Sequence, residues 1–321
     1  MADAAEFVSA NSRNPKMSIP LPARRLIAAL AVVAAAFVNG SCHAQPAAET
    51  HAVAMHDGVK LATDVYLPEK GQPPFPAILI RTPYNKNGSR GIAANVTRLG
   101  YALVAQDMRG RFASEGDDAI IFGNDGLGGV HRDGHETLAW IAAQDWSSGK
   151  VVTYGASAPG IVQNMAAPGA PAALAGQVVS VAFSDYYHQG AYQGGVWRKE
   201  LLEGWLKQTK MEEVNLPKFL AHTTYDDFWK GLSAERHAAE VNAPGVFLGG
   251  WYDIFLQGTI NSFVTIHEQG GPAARGKCFL VIAPISHGPF TEKIEYPRSA
   301  QAPINLAAPM NLIAHWVIEP Q

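Results

Sequence analysis

Cysteine is almost missing from this sequence: its 321 residues carry two, Cys42 and Cys278. Two thiols build neither a disulfide framework nor a Cys/His zinc site, and no H-E-x-x-H run takes their place, so no metal and no other cofactor is expected. An excess of one charge is missing too. The 25 Lys and Arg nearly balance the 28 Asp and Glu, and no basic helix or arginine-rich run offers nucleic acid a footprint. Long apolar runs are also scarce. The most extended, Leu26 to Val38, is shorter than the about 20 residues a membrane span needs.

That run has another meaning. The stretch "MSIPLPARRLIAALAVVAAAFVNGSCHAQ" starts at Met17, sets Arg24 and Arg25 before the apolar segment, and ends in a cleavage site at Cys42-His43-Ala44. This is the layout of a signal peptide over residues 17–44, behind an N-terminal extension at residues 1–16. The expectation is an exported protein, periplasmic or secreted, with no stable membrane span in its mature form. An uncleaved anchor is the competing reading. Cleavage after Ala44 removes Cys42, and Cys278, inside the apolar run "KCFLVIAP", then reads as a packing residue.

The remainder is a globular composition, 47% apolar and 17% charged, with 31 Gly and 21 Pro to punctuate many loops. "VKLATDVYLPE" reads as an early antiparallel strand. Six apolar runs follow: "FPAILIRTPY", "YALVAQDMRG", "KVVTYGAS", "QVVSVAFSD", "PGVFLGGWYD" and "KCFLVIAPISH". Runs this apolar, separated by helical segments such as "DGHETLAWIAAQ", predict an α/β fold whose mostly parallel sheet is covered on both faces. Residues 186–240 break the pattern with Trp, Tyr and helix formers and no strong strand. They are read as a helical cap inserted between a first core segment, 45–185, and a second, 241–321, roofing the carboxyl edge of the sheet where pockets form.

Three residues end strand-like runs in the order Ser157, Asp253, His287. That is the order of an α/β-hydrolase triad, in which the serine attacks an acyl carbonyl, the histidine takes and returns its proton, and the aspartate orients the imidazole. "VVTYGASAPG" departs from G-x-S-x-G, because Pro159 stands where a glycine is usual. Each residue also has a plainer reading: Ser157 as a turn hydroxyl, His287 as a loop histidine, Asp253 as a helix cap.

Taken together, "RTPYNK", "QDMRGRFASEG", "DGHETLAWIAAQDWSSGKVVTYGAS", "YDDFWK", "GGWYDIF" and "SHGPF" resemble the cocaine-esterase-like (CocE/NonD) hydrolases and the related X-Pro dipeptidyl-peptidase and α-amino-acid ester hydrolase catalytic domains. The resemblance spans roughly residues 49–290. It implies an α/β-hydrolase fold and supplies a G-x-S-Y-x-G pattern in which Gly160 is the expected glycine. It further implies an oxyanion site made by the Tyr84 hydroxyl and the Ala158 backbone N–H, Tyr84 as a wall residue being the alternative. Ala158 stands where the family usually has tyrosine. Asp107, Arg109 and Arg111 fall in the family's D-x-R-G segment and are expected to form a buried Asp–Arg pair beside the nucleophile. Family members commonly carry a carboxyl-terminal jelly-roll domain. Residues 288–321 hold room only for "NLIAHWVIEP" as a closing helix, which implies a minimal or truncated enzyme.

For the amino-ester hydrolases the resemblance implies carboxylates two and three positions after the triad aspartate. Phe255 and Leu256 stand there instead, with Asp185 and Asp226 as partial substitutes for holding an ammonium. The cap aromatics Trp197, Trp205, Phe228 and Trp229, with Trp251 and Phe255 flanking Asp253, are the expected substrate contacts. They favour esters with an apolar or aromatic acyl group over X-Pro dipeptides or α-amino esters and amides. The expected partner is a small ester or amide, and the sequence allows a homo-oligomer. A non-catalytic binding protein on the same fold is the remaining alternative.

Overall fold

The computed structural model describes residues 47–117, 120–126 and 131–287. The extension at 1–16, the signal peptide at 17–44 and the closing helix expected from "NLIAHWVIEP" lie outside the described residues.

Among the described residues, eight strands form one sheet. In chain order they are β1 (Glu49–Ala54), β2 (Lys60–Tyr66), β3 (Phe75–Thr82), β4 (Ala102–Asp107), β5 (Ser147–Ala156), β6 (Leu174–Ser180), then β9 (Gly245–Tyr252) and β10 (Phe279–Ser286), after a small hairpin, β7 (Tyr192–Gln193) and β8 (Val196–Trp197). Their spatial order is β1-β2-β4-β3-β5-β6-β9-β10. The β1/β2 and β2/β4 pairs are antiparallel and every later pair is parallel. β1 was not anticipated, since its residues are mostly exposed and carry little hydrophobic signal.

The central strands are buried on both faces, which explains their unbroken apolar runs. Side chains alternate with the period of the pleat. Leu79, Val104, Val151, Val179 and Phe247 join one hydrophobic cluster, while Ile78, Leu103, Val152, Val178 and Val246 join the other. Against the first face pack α2 (Asp133–Ala142) through Leu138 and Ile141, α3 (Ala158–Ala166) through Ile161, Val162 and Met165, and α7 (Leu256–Gln269) through Ile266. Against the second packs α1 (Arg90–Arg98) through Ala93 and Val96. Truncating a fully buried member such as Leu79 or Leu103 to alanine costs about 2–5 kcal/mol.

Between β6 and β9 the chain leaves the sheet. It makes a π-helical turn (Tyr186–Ala191), the β7/β8 hairpin, α4 (Lys199–Gln208), α5 (Glu212–Ala221), a short α6 (Asp227–Lys230) and a 3-10 turn (Ala234–Glu240). The segment read as helical thus also contains a hairpin. Gly194 and Gly195 take φ of 61° and 82°, the left-handed pair that a two-residue hairpin turn requires, so two glycines make a strand reversal where no strand run is legible.

Candidate active site

At the end of β5 the backbone turns sharply. Ser157 adopts φ 58° and ψ −128°, a strained conformation for a non-glycine residue, and α3 begins at the next residue. Two glycines permit the turn. A Cβ on Gly155 would lie 2.5 Å from Pro159 Cβ, and one on Gly160 would lie 2.8 Å from Ala182 Cβ. Pro159 falls in the first helical turn, where its missing N–H costs no intrahelical bond. The Gly160 and Ile161 N–H groups both donate to the Ser157 carbonyl, and among the described residues the Ala158 N–H at the helix start meets no acceptor.

Ser157 Oγ lies 2.8 Å from His287 Nε2, and His287 Nδ1 lies 2.8 Å from Asp253 Oδ2. The Asp253 carboxylate is fully buried, and its other oxygen accepts the Phe255 N–H at 2.7 Å. An ionised carboxylate only accepts, so the imidazole proton sits on Nδ1 and Nε2 is left to take the serine proton. Phe255 meets the His287 ring edge to face, with centroids 5.0 Å apart. The three side chains come from the ends of β5, β9 and β10, and β9 runs beside β10. Gly250 lies so close to the Ile285 carbonyl that a side chain there would push these two strands apart.

Tyr84 follows β3, with its N–H donating to Thr82 Oγ1. The loop is pinned by Lys86, whose backbone N–H reaches Asp107 Oδ1 at 2.6 Å and whose ammonium pairs with buried Asp64 at 2.8 Å. Burial pushes the Tyr84 phenol above its ordinary pKa, opposed by hydrogen bonds with the Trp205 and Ser157 side chains, so it is a neutral hydroxyl at physiological pH.

A buried Asp–Arg pair forms at Arg109, but its carboxylate comes from outside the D-x-R-G segment and is not Asp107. Arg109 makes a fork to Asp133 at 2.9 and 2.7 Å and a second to Asp57, while Asp107 takes the Lys86 and Ala113 amides. Asp133 is fully buried at the start of α2 and needs a fixed cation more than Asp107, which backbone donors already satisfy. Arg111 donates to the Pro83 and Thr209 carbonyls, joining the Tyr84 loop to the cap.

A cavity of about 310 Å³ opens over Ser157, lined by Tyr84, Ala158, Trp205, Phe255 and His287 and, beyond the residues singled out from the sequence, by Phe122, Ile161, Phe183, Tyr186, Leu201 and Leu202. Six of the eight expected substrate contacts lie elsewhere. Asp185 is buried, with its carboxylate taken by the His188 amide and the Tyr225 hydroxyl. Asp226 caps α6 and pairs with His222, on whose ring Phe228 stacks. Trp229 is fully buried in the cap's own aromatic core, against Tyr186, Tyr192 and Phe219. Trp197 packs on Tyr192 and donates to Glu203, and Trp251 is 62% exposed outside the cavity. Phe183 and Tyr186 directly follow β6 at the carboxyl edge, a positional signal that would have found them. Phe122 has no such signal, since it reaches the cavity from an irregular loop at a φ of 69°. Among the described residues, no three His, Cys, Asp or Glu side chains gather as metal ligands.

Sheet order, elbow and inserted cap define an α/β-hydrolase fold. Residues 57–218 and 206–289 match the model of the X-Pro dipeptidyl-peptidase (S15) family, and the chain belongs to that family. It is 28% identical over 291 residues to the cocaine esterase of Rhodococcus sp. (strain MB1 Bresler), an alignment covering 74% of this chain and 48% of that protein, so the chain spans about half the length of this relative. Among solved structures, the CocE/NonD family hydrolase SACOL2612 of Staphylococcus aureus superposes with a TM-score of 0.65 at 20% identity, covering 85% of this chain and 50% of that one. An α-amino acid ester hydrolase superposes with a TM-score of 0.62 at 23% identity, covering 78% and 50%. These likenesses establish the shared fold.

Proposed function

We propose that this protein is a serine hydrolase that cleaves carboxylic esters bearing an apolar or aromatic acyl group. One observation carries the reading: the Ser157–His287–Asp253 hydrogen-bonded chain opens into a cavity walled by aromatic and aliphatic side chains, with no further carboxylate among the described residues that line it. The Ser157 oxygen attacks the acyl carbonyl while His287 Nε2 takes its proton. The negative oxygen of the tetrahedral intermediate is met by the Ala158 N–H and the Tyr84 hydroxyl. Collapse expels the alcohol, protonated by His287, and water then releases the acid by the same steps in reverse roles. Preorganised donors of this kind are each worth about 3–4 kcal/mol in the transition state.

The wall chemistry argues against α-amino esters and X-Pro dipeptides. Their ammonium group would need a buried counter-charge, and Asp185 and Asp226 are committed to cap contacts instead. A panel of aryl and alkyl esters beside an X-Pro anilide tests the substrate class. Benzoyl or similar esters are expected to turn over fastest, and a preference for the X-Pro anilide would reverse the assignment. A fluorophosphonate should label Ser157 stoichiometrically, and Ser157→Ala should abolish turnover. Retained activity in that variant would place the nucleophile elsewhere. Export remains a reading of residues 17–44, and an intact mass starting near Gln45 after expression in a secreting host is its test.

A further inference from the structure

Trp205 belongs to the cap, on α4, yet its indole reaches a core residue. Its Nε1–H donates to the Tyr84 hydroxyl oxygen at 2.8 Å. The ring is held from behind by Phe122, stacked at 5.8 Å and 14°, and meets the Tyr84 ring nearly at right angles, at 6.5 Å and 86°. A second tie fixes the same helix to the same loop. Arg111 donates to the carbonyl of Thr209, at the end of α4, at 2.6 Å and to that of Pro83, beside Tyr84, at 3.3 Å. Lys86 and its buried partners hold the other side of the loop to the sheet.

An indole N–H can only donate. It therefore occupies an acceptor position on the Tyr84 oxygen, and the phenol's own hydrogen must be directed elsewhere, with the cavity over Ser157 beside it. As negative charge develops on a substrate oxygen facing that hydrogen, electron density shifts onto the phenol oxygen, and the Trp205 N–H bond to it strengthens in step. Such help exists in the transition state and hardly at all in the ground state.

We propose that Trp205 is a positioning residue for the oxyanion site, orienting the Tyr84 hydroxyl as a donor, so that the cap completes the catalytic apparatus as well as walling the pocket. This rests on the reading of Tyr84 as an oxyanion donor.

The test is a double-mutant cycle on the full chain with one good ester substrate. Trp205→Phe keeps an aromatic ring against Phe122 and removes the N–H. It should lower kcat about tenfold with KM within about twofold. In a Tyr84→Phe background the same substitution should change kcat by less than about twofold, because the group it acts through is gone. Benzothienylalanine at position 205 retains the bicyclic shape without the N–H and should match Trp205→Phe, which decides the matter if the phenylalanine variant melts early. Full kcat in the benzothienylalanine enzyme, or the same fold-loss with and without the Tyr84 hydroxyl, would overturn the proposal while leaving the Ser157 chemistry intact. A Tyr84→Phe enzyme as fast as the parent would overturn the Tyr84 assignment, and this inference with it.

Discussion

Gly155 lies against Pro159 at the closest approach in the elbow: a Cβ on the glycine would sit 2.5 Å from the proline Cβ and 3.1 Å from its carbonyl carbon. The departure from G-x-S-x-G is thereby tied to the first glycine of the motif. With a proline ring at 159, position 155 has no room for any side chain. Gly155→Ala is expected to cost about 2 kcal/mol or more in stability and to remove most turnover, since relief of the clash must displace Ser157 or α3. Thermal melting with steady-state kinetics checks this, and a variant of parental stability and kcat would show that the elbow has slack.

Asp253→Asn should lower kcat by about 10⁴ with a small change in melting temperature. The amide can donate to Nδ1, which allows the imidazole to hold its proton on the nitrogen facing Ser157, the wrong tautomer for a base. A loss of less than about tenfold would remove Asp253 from its orienting role.

Arg109→Met is expected to destabilise the protein by about 3–5 kcal/mol, because the fully buried Asp133 carboxylate would lose both of its arginine hydrogen bonds. Adding Asp133→Asn should recover part of that loss. Chemical denaturation of both variants tests it. A double variant no more stable than the single one would mean that packing of the arginine stem matters more than its charge.

Asp57 offers a pH-dependent test of the same network. The Arg109 guanidinium, with the Val59 amide and His131 nearby, lowers its carboxyl to about 2. A depressed carboxylate pKa contributes stability that is present above the unfolded value of about 3.9 and is lost as pH falls through the folded value. The pair is partly solvated, so its contribution is about 1 kcal/mol. The melting-temperature gap between parent and Asp57→Asn should hold from pH 7 to about 4 and close towards pH 2. A gap unchanged at pH 2 would assign the effect to something other than the carboxylate charge.

Much of the core was legible in the sequence because burial on both faces writes strands as unbroken apolar runs, and the candidate triad was legible because its members stand where such runs end. Ser157, Asp253 and His287 could be singled out for that reason, and the structure brings them together. The aromatic residues resisted the same treatment. Trp229 and Trp205 lie in one cap and look alike in sequence, yet one fills the cap's interior and the other faces the cavity. Which way a cap helix turns is decided by contacts with segments far along the chain, and no local periodicity reports it. The carboxylate partners of Arg109 were illegible for a related reason. Its partners Asp57 and Asp133 are distant in sequence and close only across the folded loops.

The candidate triad is assembled from the middle of the sheet and its far side, with Ser157 and His287 separated by 130 positions along the chain and with the cap inserted between them. Such a long closure is slow to find, because much of the chain must already be ordered before the contact returns any stabilisation. Turnover regained during refolding therefore reports the docking of β9 and β10 beside β6. For this molecule a catalytic assay would therefore also read whether chain segments 130 positions apart have met.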